Sequence, residues 1–332
     1  MGQPRFAVIV PVHNKERHVV RSLQSVLNQT LAPDEIIVVD DASTDGSMAA
    51  LRLMPGADRI TFLRRSEPGP GGYAGRNLGI ETARAEWIAF LDADDIWETG
   101  HLASMAAAVT RAGEGPACIF TGYEFVEPAG YRRKDWFSRG GRDFAVYQST
   151  QMLDFWLEGG CPLWTGAVAI KRAHLLKVGM FPAGKARRGG DRDLWLRTMV
   201  TTQCIHTGAV TAQYRRDADN MLTRAESFSV RQRVQDTVEE LAPNVEPVLA
   251  ERLRRIANRE VFQYAFKAWK GGAPITNPML EGFTVSANPA RYALIRAMRI
   301  IPMPISQERR EKVRAILARL RKRKHGSSAH VG

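Results

Sequence analysis

The sequence predicts an α/β protein: a mixed, mostly parallel sheet with helices on both faces, followed by a helical C-terminal region. Three observations carry this. Short apolar runs recur through the first hundred residues, each suited to a strand buried on both faces. Segments with apolar residues at helical spacing lie between them. From Ser227 onward the spacing is mainly helical, and prolines from Pro243 to Pro304 cut it into pieces.

Phe6 to Val10 is an apolar run ended by Pro11, and reads as the first strand. His18 to Leu27 follows with Val19, Leu23, Val26 and Leu27 on one helical face. Glu35 to Asp40 is the second strand, and Ala49 to Leu53 a short helix after a Ser/Thr/Asp/Gly loop. Arg59 to Leu63 is the third strand, Arg76 to Ala85 a helix, and Trp87 to Leu91 the fourth strand. This βαβαβαβ alternation builds a parallel sheet, and such sheets bind ligands at the carboxyl ends of their strands. Here those ends carry Pro11-Val12-His13-Asn14, Asp40-Asp41 and Asp92-Ala93-Asp94-Asp95. Later, Cys118 to Phe120 and Ala167 to Ile170 read as strands, and Asp193 to Val200 as a helix after the Gly/Arg-rich stretch Lys185 to Gly190. A domain boundary is expected near 225. It separates a catalytic domain, 1–225, from a helical region, 226–325, and a small polar tail, 326–332, expected to be disordered.

Composition narrows the class. The 332 residues, 44% hydrophobic, suffice for a sizeable core. Cys118, Cys161 and Cys204 lie far apart, form no zinc spacing, and read as reduced thiols. No signal-peptide pattern and no run of 18 apolar residues is present, so a cytoplasmic location is expected. The net charge of +12 is concentrated at the end of the chain: Pro289 to Lys324 holds twelve cations against Glu308 and Glu311, a net +10.

Chemistry is expected at the strand ends. The carboxylates Asp92, Asp94 and Asp95 follow an apolar strand, repel one another, and call for a cation. Mg²⁺ or Mn²⁺ suits oxygen ligands and is commonly held by one or two carboxylates plus substrate phosphates. A solvated acidic turn is the bland alternative. Asp40 and Asp41, at another strand end, are costly to bury unpartnered and suit base N–H groups and ribose hydroxyls. Helix capping accounts for Ser43 to Asp45 but not for Asp40 and Asp41. Gly69-Pro-Gly-Gly-Tyr-Ala74 approximates a dinucleotide fingerprint, yet Pro70 sits inside the supposed phosphate turn. The glycines read instead as a flexible loop that lets Arg76 approach a ligand.

Val8-Ile-Val-Pro-Val-His-Asn14, Val39-Asp-Asp-Ala-Ser-Thr-Asp-Gly-Ser47, Gly75-Arg-Asn-Leu-Gly-Ile80 and Phe90-Leu-Asp-Ala-Asp-Asp95 together resemble the family 2 (GT-A fold) inverting glycosyltransferases, in order and at family-like spacing. The stretch Thr165 to Arg197 also fits, so the likeness covers roughly residues 5 to 220. It implies a Rossmann-like GT-A nucleotide-diphospho-sugar transferase fold. It also implies transfer of a sugar from a nucleotide-sugar donor, UDP-linked, to a hydroxyl of a glycan or lipid-linked acceptor in cell-envelope polysaccharide or glycoconjugate synthesis. By the resemblance, Pro11 and His13 line the nucleobase pocket with Asn14 beside them. Asp41 binds the base with Asp40 alongside, and Arg76 lies near the nucleotide. Asp92 contacts the ribose or sugar, and Asp94 ligates Mg²⁺ or Mn²⁺. The general base falls on Asp191. The sequence departs from the family there: the preceding Glu is Gly190, and Asp193 follows two residues on. A helix starting near Asp191 would lower its pKa, and Asp191 could instead serve as a cap. Trp164 and Thr165 are expected on the acceptor side with Asp193, although Trp164 suits a core equally.

Two further readings concern the whole chain. Pro289 to Met303 and Ser306 to Lys324 read as basic amphipathic helices, which suit an anionic membrane surface; packing on the catalytic domain is the alternative. Without interleaved aromatics, nucleic acid is not expected as a partner. The departure at Gly190 keeps open a catalytically silent binding or scaffold protein, and paired carboxylates with Mg²⁺ also suit a nucleotidyltransferase.

Overall fold

A computed structural model of the chain describes residues 2–186, 188–217 and 231–300. In chain order the elements are β1 (Phe6–Val12), α1 (Val19–Leu27), β2 (Glu35–Asp41), α2 (Ser47–Leu53), β3 (Ile60–Arg65), α3 (Tyr73–Thr82), β4 (Trp87–Phe90), β5 (Ile96–Trp97) and α4 (His101–Ala112). They continue with β6 (Cys118–Val126), β7 (Arg132–Lys134), β8 (Ala145–Tyr147), α5 (Ser149–Gly159), β9 (Val168–Lys171), α6 (Arg172–Val178), α7 (Gly190–Met199) and β10 (Cys204–Arg215). Four helices complete the described chain: α8 (Arg233–Leu241), α9 (Pro247–Gly271), α10 (Asn277–Leu280) and α11 (Pro289–Ile300).

The sheet runs β3-β2-β1-β4-β9-β6-β10-β5. Its first four strands are parallel, β9 runs antiparallel to both β4 and β6, and β6 pairs parallel with β10. The first strands are apolar throughout because both faces are covered. In β1, Ala7 and Ile9 belong to one core with Ile80 of α3 and Leu194 of α7. Phe6, Val8, Val10 and Val12 belong to the other core, with Val19 and Leu23 of α1 and Leu102 of α4. Leu23 and Val26 share one face of α1 and are fully buried, at the spacing the sequence showed.

β5, β7, β8, α4, α5 and α6 were not anticipated, and three further elements differ from expectation. Gly72, at φ +66°, closes a 3-10 turn (Pro70–Gly72) and lets α3 begin at Tyr73 rather than Arg76. The helix expected at Asp193 begins at Gly190. The 12-residue β10 was not anticipated, because its register with β6 shifts between His206 and Val210 and the apolar alternation breaks there.

The described residues form two compact units, one of residues up to 217 with 232–257, the other of 231 with 258–300. In the first, Arg233 of α8 donates to Asp193 of α7 at 2.9 Å, and Arg252 of α9 makes two bonds to Asp154 of α5, at 2.8 and 3.0 Å. In the second, Val261, Ala265, Ile275, Met279 and Ile295 make a small core, and Asn258 bridges both backbone groups of Thr284. The expected helix Ser306 to Lys324 and the expected disordered tail lie outside the described residues. Among the described residues no helix is long and apolar enough to cross a membrane.

Candidate active site

Parallel neighbours put the carboxyl ends of β1, β2 and β4 on one edge, where the strand order departs from β1 in two directions. The loops that leave this edge are stitched together. Asn14, at φ +52°, accepts the Thr44 N–H at 2.8 Å and donates its own N–H to Ser43 Oγ at 3.2 Å. Lys15 N–H donates to Ser47 Oγ at 2.8 Å. Asp45 Oδ1 accepts the Ser47 N–H at 3.0 Å at the start of α2. Asn14 therefore braces the loops of the expected donor side, and the exposed His13 ring is held with Nδ1 2.8 Å from the Asp41 carbonyl oxygen.

The acidic residues of this edge have partners. Asp40 Oδ1 accepts the Ser43 N–H at 2.8 Å, and Oδ2 lies 3.6 Å from Arg64. Asp41, nearly fully buried, pairs with Arg65 and accepts the Gly69 N–H at 2.9 Å. Asp92 pairs with Arg76, whose second nitrogen donates to the Gly71 carbonyl at 2.7 Å. Asp94 accepts Lys15 Nζ at 2.7 Å. Asp95 is buried; Oδ1 accepts the Arg215 N–H at 2.8 Å, and Oδ2 has no hydrogen-bond partner. Burial first, then the charges of Asp94 and Asp92, push its carboxyl well above the usual range. Pro11, half-buried at the end of β1, lies against this edge, 3.6 Å from where a Cβ on Gly72 would stand.

Among the described residues no three His, Cys, Asp or Glu side chains gather as a metal cage. The donor set fits a divalent cation shared with ligand phosphates, in which the protein supplies Asp94 and the phosphates supply the remaining oxygens. The charges of Asp94 and Asp92 act together on Asp95, whose buried Oδ2 has no hydrogen-bond partner.

The other wall is the first turn of α7. No side chain caps this helix: its N-cap is Gly189, at φ +74°, and the Gly190 N–H donates to Tyr73 Oη at 2.9 Å. Asp191, half-buried, sits in this turn. Asp193, expected on the acceptor side, is fully buried; Arg197, Arg233 Nε at 2.9 Å and Thr237 Oγ1 at 2.6 Å converge on its carboxylate. It ties α7 to α8, which leaves Asp191 as the more accessible carboxylate of the pair. Tyr73 feels both walls: burial first, then the Asp191 charge, raise its phenol to about 12, with Arg76 and Asp92 also acting on it.

Trp164 lies in a half-buried aromatic group, its ring 4.6 Å from that of Tyr123 and 5.3 Å from that of Tyr214. Thr165 beside it is buried, and the Gly166 carbonyl accepts Trp97 Nε1 at 2.7 Å. Arg215, next to Tyr214, bonds Asp95, so this group borders the carboxylate edge. Sequence reasoning missed Lys15, Arg65 and Tyr73. Tyr73 lay inside the glycine loop already singled out, and Lys15 directly after the strand end Pro11 to Asn14.

Known proteins share the sequence pattern and the fold of this chain. Residues 7–176 match Glycosyl transferase family 2. Over 138 residues the chain is 31% identical to the GalNAc(5)-diNAcBac-PP-undecaprenol beta-1,3-glucosyltransferase of Campylobacter jejuni, covering 41% of this chain and 43% of that protein. Over 113 residues it is 35% identical to the succinoglycan biosynthesis protein ExoW of Rhizobium meliloti, covering 32% and 34%. Across the curated relatives, the match spans between 13% and 50% of their own length. The crystal structure of S. aureus TarS 1-349 in complex with UDP-GlcNAc superposes with a TM-score of 0.67 at 16% identity, over 89% of this chain and 88% of that one, which shows a shared GT-A-type fold. On sequence and fold together, the chain belongs to glycosyl transferase family 2.

Proposed function

We propose that the chain is an inverting glycosyltransferase that moves a sugar from a UDP-linked donor to a hydroxyl of a glycan or lipid-linked acceptor. The observation that carries this reading is the pairing of two walls around Tyr73: a charge-compensated carboxylate edge and an accessible carboxylate on α7. The names of the relatives support the substrates, one acting on an undecaprenol-linked glycan and one solved with UDP-GlcNAc.

His13 and Pro11 flank the base, which Asp41 binds with Asp40 alongside; Arg65 and the Gly69 N–H hold Asp41 in place. Arg76 orients Asp92 toward the ribose or sugar. Asp94 would hold Mg²⁺ or Mn²⁺ together with the donor phosphates, and the ion supplies charge stabilisation to the departing diphosphate. Lys15, which pairs with Asp94, would give way to the ion there. Asp191 takes the proton of the acceptor hydroxyl as its oxygen attacks the anomeric carbon. The bond from that carbon to the diphosphate oxygen breaks, its electron pair leaves with the nucleoside diphosphate, and one in-line displacement inverts the configuration. Asp191 is half-buried, so its carboxylate remains open to an acceptor hydroxyl. Trp164 and its aromatic neighbours form the acceptor side.

The test is a donor screen by thermal shift with Mn²⁺, followed by transfer assays. Asp94→Ala loses metal-dependent donor binding, and Asp191→Ala keeps binding and loses transfer. Normal transfer by both variants overturns the site; release of pyrophosphate instead of a nucleoside diphosphate overturns the reaction class.

The proposed location is the cytoplasmic face of a membrane, held peripherally. On α11, Arg291, Arg296 and Arg299 accompany Leu294 and Ile300, which are 54% and 77% exposed. Flotation of the intact chain with anionic vesicles at low salt is expected, and failure to float removes this reading.

A further inference from the structure

The turn from Gly69 to Tyr73 touches both walls of the site. Toward the donor side, the Gly69 N–H holds Asp41 and the Gly71 carbonyl holds Arg76, the partner of Asp92. Toward α7, Tyr73 is buried to 5%, lies parallel to Phe181 with ring centroids 5.9 Å apart, and accepts the Gly190 N–H. A Cβ on Gly190 would stand 2.7 Å from Tyr73 Cζ and 2.9 Å from Pro182 Cγ; one on Gly71 would stand 2.6 Å from the same ring. The phenol therefore occupies the volume through which any side chain at 190 would have to pass. A side chain at 190 would require the Tyr73 ring to move from where it stands.

We propose that Tyr73 is the positioning residue for Asp191, holding the first turn of α7 by accepting the Gly190 N–H and filling the space that a side chain at 190 would take. The proposal rests on the reading of Asp191 as the base. The N–H groups of a helix's first turn have no intrahelical partners, and here neither a cap nor a side chain at 190 holds the first of them. The phenol oxygen does, on a ring fixed by Phe181 and two close-packed glycines. Because burial and the Asp191 charge hold the phenol at about 12, it stays protonated and is not itself the base. Its O–H remains available as a donor beside Asp191 or the acceptor. Gly190 is then the complement of Tyr73 and no mark of a silent enzyme.

The experiment compares Tyr73→Phe, Gly190→Ala, Tyr73→Ala and the double variant Tyr73→Ala/Gly190→Ala in the full chain, by steady-state transfer, UDP binding and thermal melting. Tyr73→Phe keeps the ring and loses the oxygen. Its kcat is expected to fall by up to about tenfold, the scale of one hydrogen bond, with donor KM and UDP affinity unchanged. Gly190→Ala lowers kcat more when Tyr73 is present than in the Tyr73→Ala background, where only the contact with Pro182 Cγ remains. Wild-type kcat in Tyr73→Phe overturns the proposal, as does a loss of UDP binding in step with kcat or an equal effect of Gly190→Ala in both backgrounds. Asp191→Asn separates the two claims. Normal transfer by that variant removes the base reading itself, whereas an inactive Asp191→Asn beside a fully active Tyr73→Phe removes only the role of Tyr73.

Discussion

At the sheet edge, Asp41, Asp92 and Asp94 each face one cation: Arg65 at the end of β3, Arg76 in α3 and Lys15 in the loop after β1. On the first turn of α7 the charges are shared unequally. Asp193 gathers Arg197, Arg233 and Thr237, while Asp191, two residues earlier, stays outside that network. The difference separates two uses of a carboxylate. One cation per carboxylate preorganises a surface for a ligand that brings its own charge. A carboxylate with every oxygen satisfied and no exposure is structural, and the accessible one beside it is the group proposed for proton transfer.

Substitutions can break or sharpen this contrast. Asp191→Asn is expected to lower kcat by about 10²–10⁴, the usual range for a general base, with stability changed by no more than about 0.5 kcal/mol in chemical denaturation. The reverse pattern belongs to Asp193→Asn. Arg197 and Arg233 lose their buried partner, unfolding becomes easier by about 3–5 kcal/mol, and folded protein at low temperature still transfers sugar. If the two phenotypes exchange, the assignment of roles on α7 is inverted.

At the sheet edge the effects are smaller. Lys15→Met removes the ammonium that competes with a divalent ion for Asp94, so half-maximal donor binding is expected at a severalfold lower Mn²⁺ concentration. An unchanged Mn²⁺ titration would show that Asp94 and the ion do not meet. The smallest effect is alkaline. Tyr73 has a folded pKa of about 12 against an ordinary value of 10.0, so the unfolded chain loses this proton first. Its contribution to stability is complete below about pH 10 and is lost as pH rises toward about 12, by up to roughly 1.4 kcal/mol per pH unit. Tyr73→Phe should flatten that part of the melting profile, and an unaltered profile would mean that the phenol ionises equally in both states.

Much of the donor side was legible in the sequence because it is local. A strand buried on both faces shows as an apolar run, and the polar residues that follow it must stand at the sheet edge; Pro11 to Asn14, Asp40-Asp41 and Asp92 to Asp95 could therefore be placed from spacing. The glycine loop was legible as a loop but not as a linking element. The bond from Tyr73 to Gly190 spans 117 residues, that from Lys15 to Asp94 spans 79, and that from Arg233 to Asp193 spans 40. Asp191 and Asp193 looked interchangeable because both are carboxylates near a helix start.

What the sequence by itself determined is the order of the first four strands and the helices between them, the edge where the carboxyl ends of those strands meet, and the acidic residues offered there. These follow from hydrophobic periodicity, which acts over a few residues. Only the tertiary structure decided which carboxylates are neutralised and which remains accessible, and that the Tyr73 ring stands where a side chain at position 190 would begin. Burial and pairing are set by side chains that meet across the sheet, and no local pattern encodes those meetings.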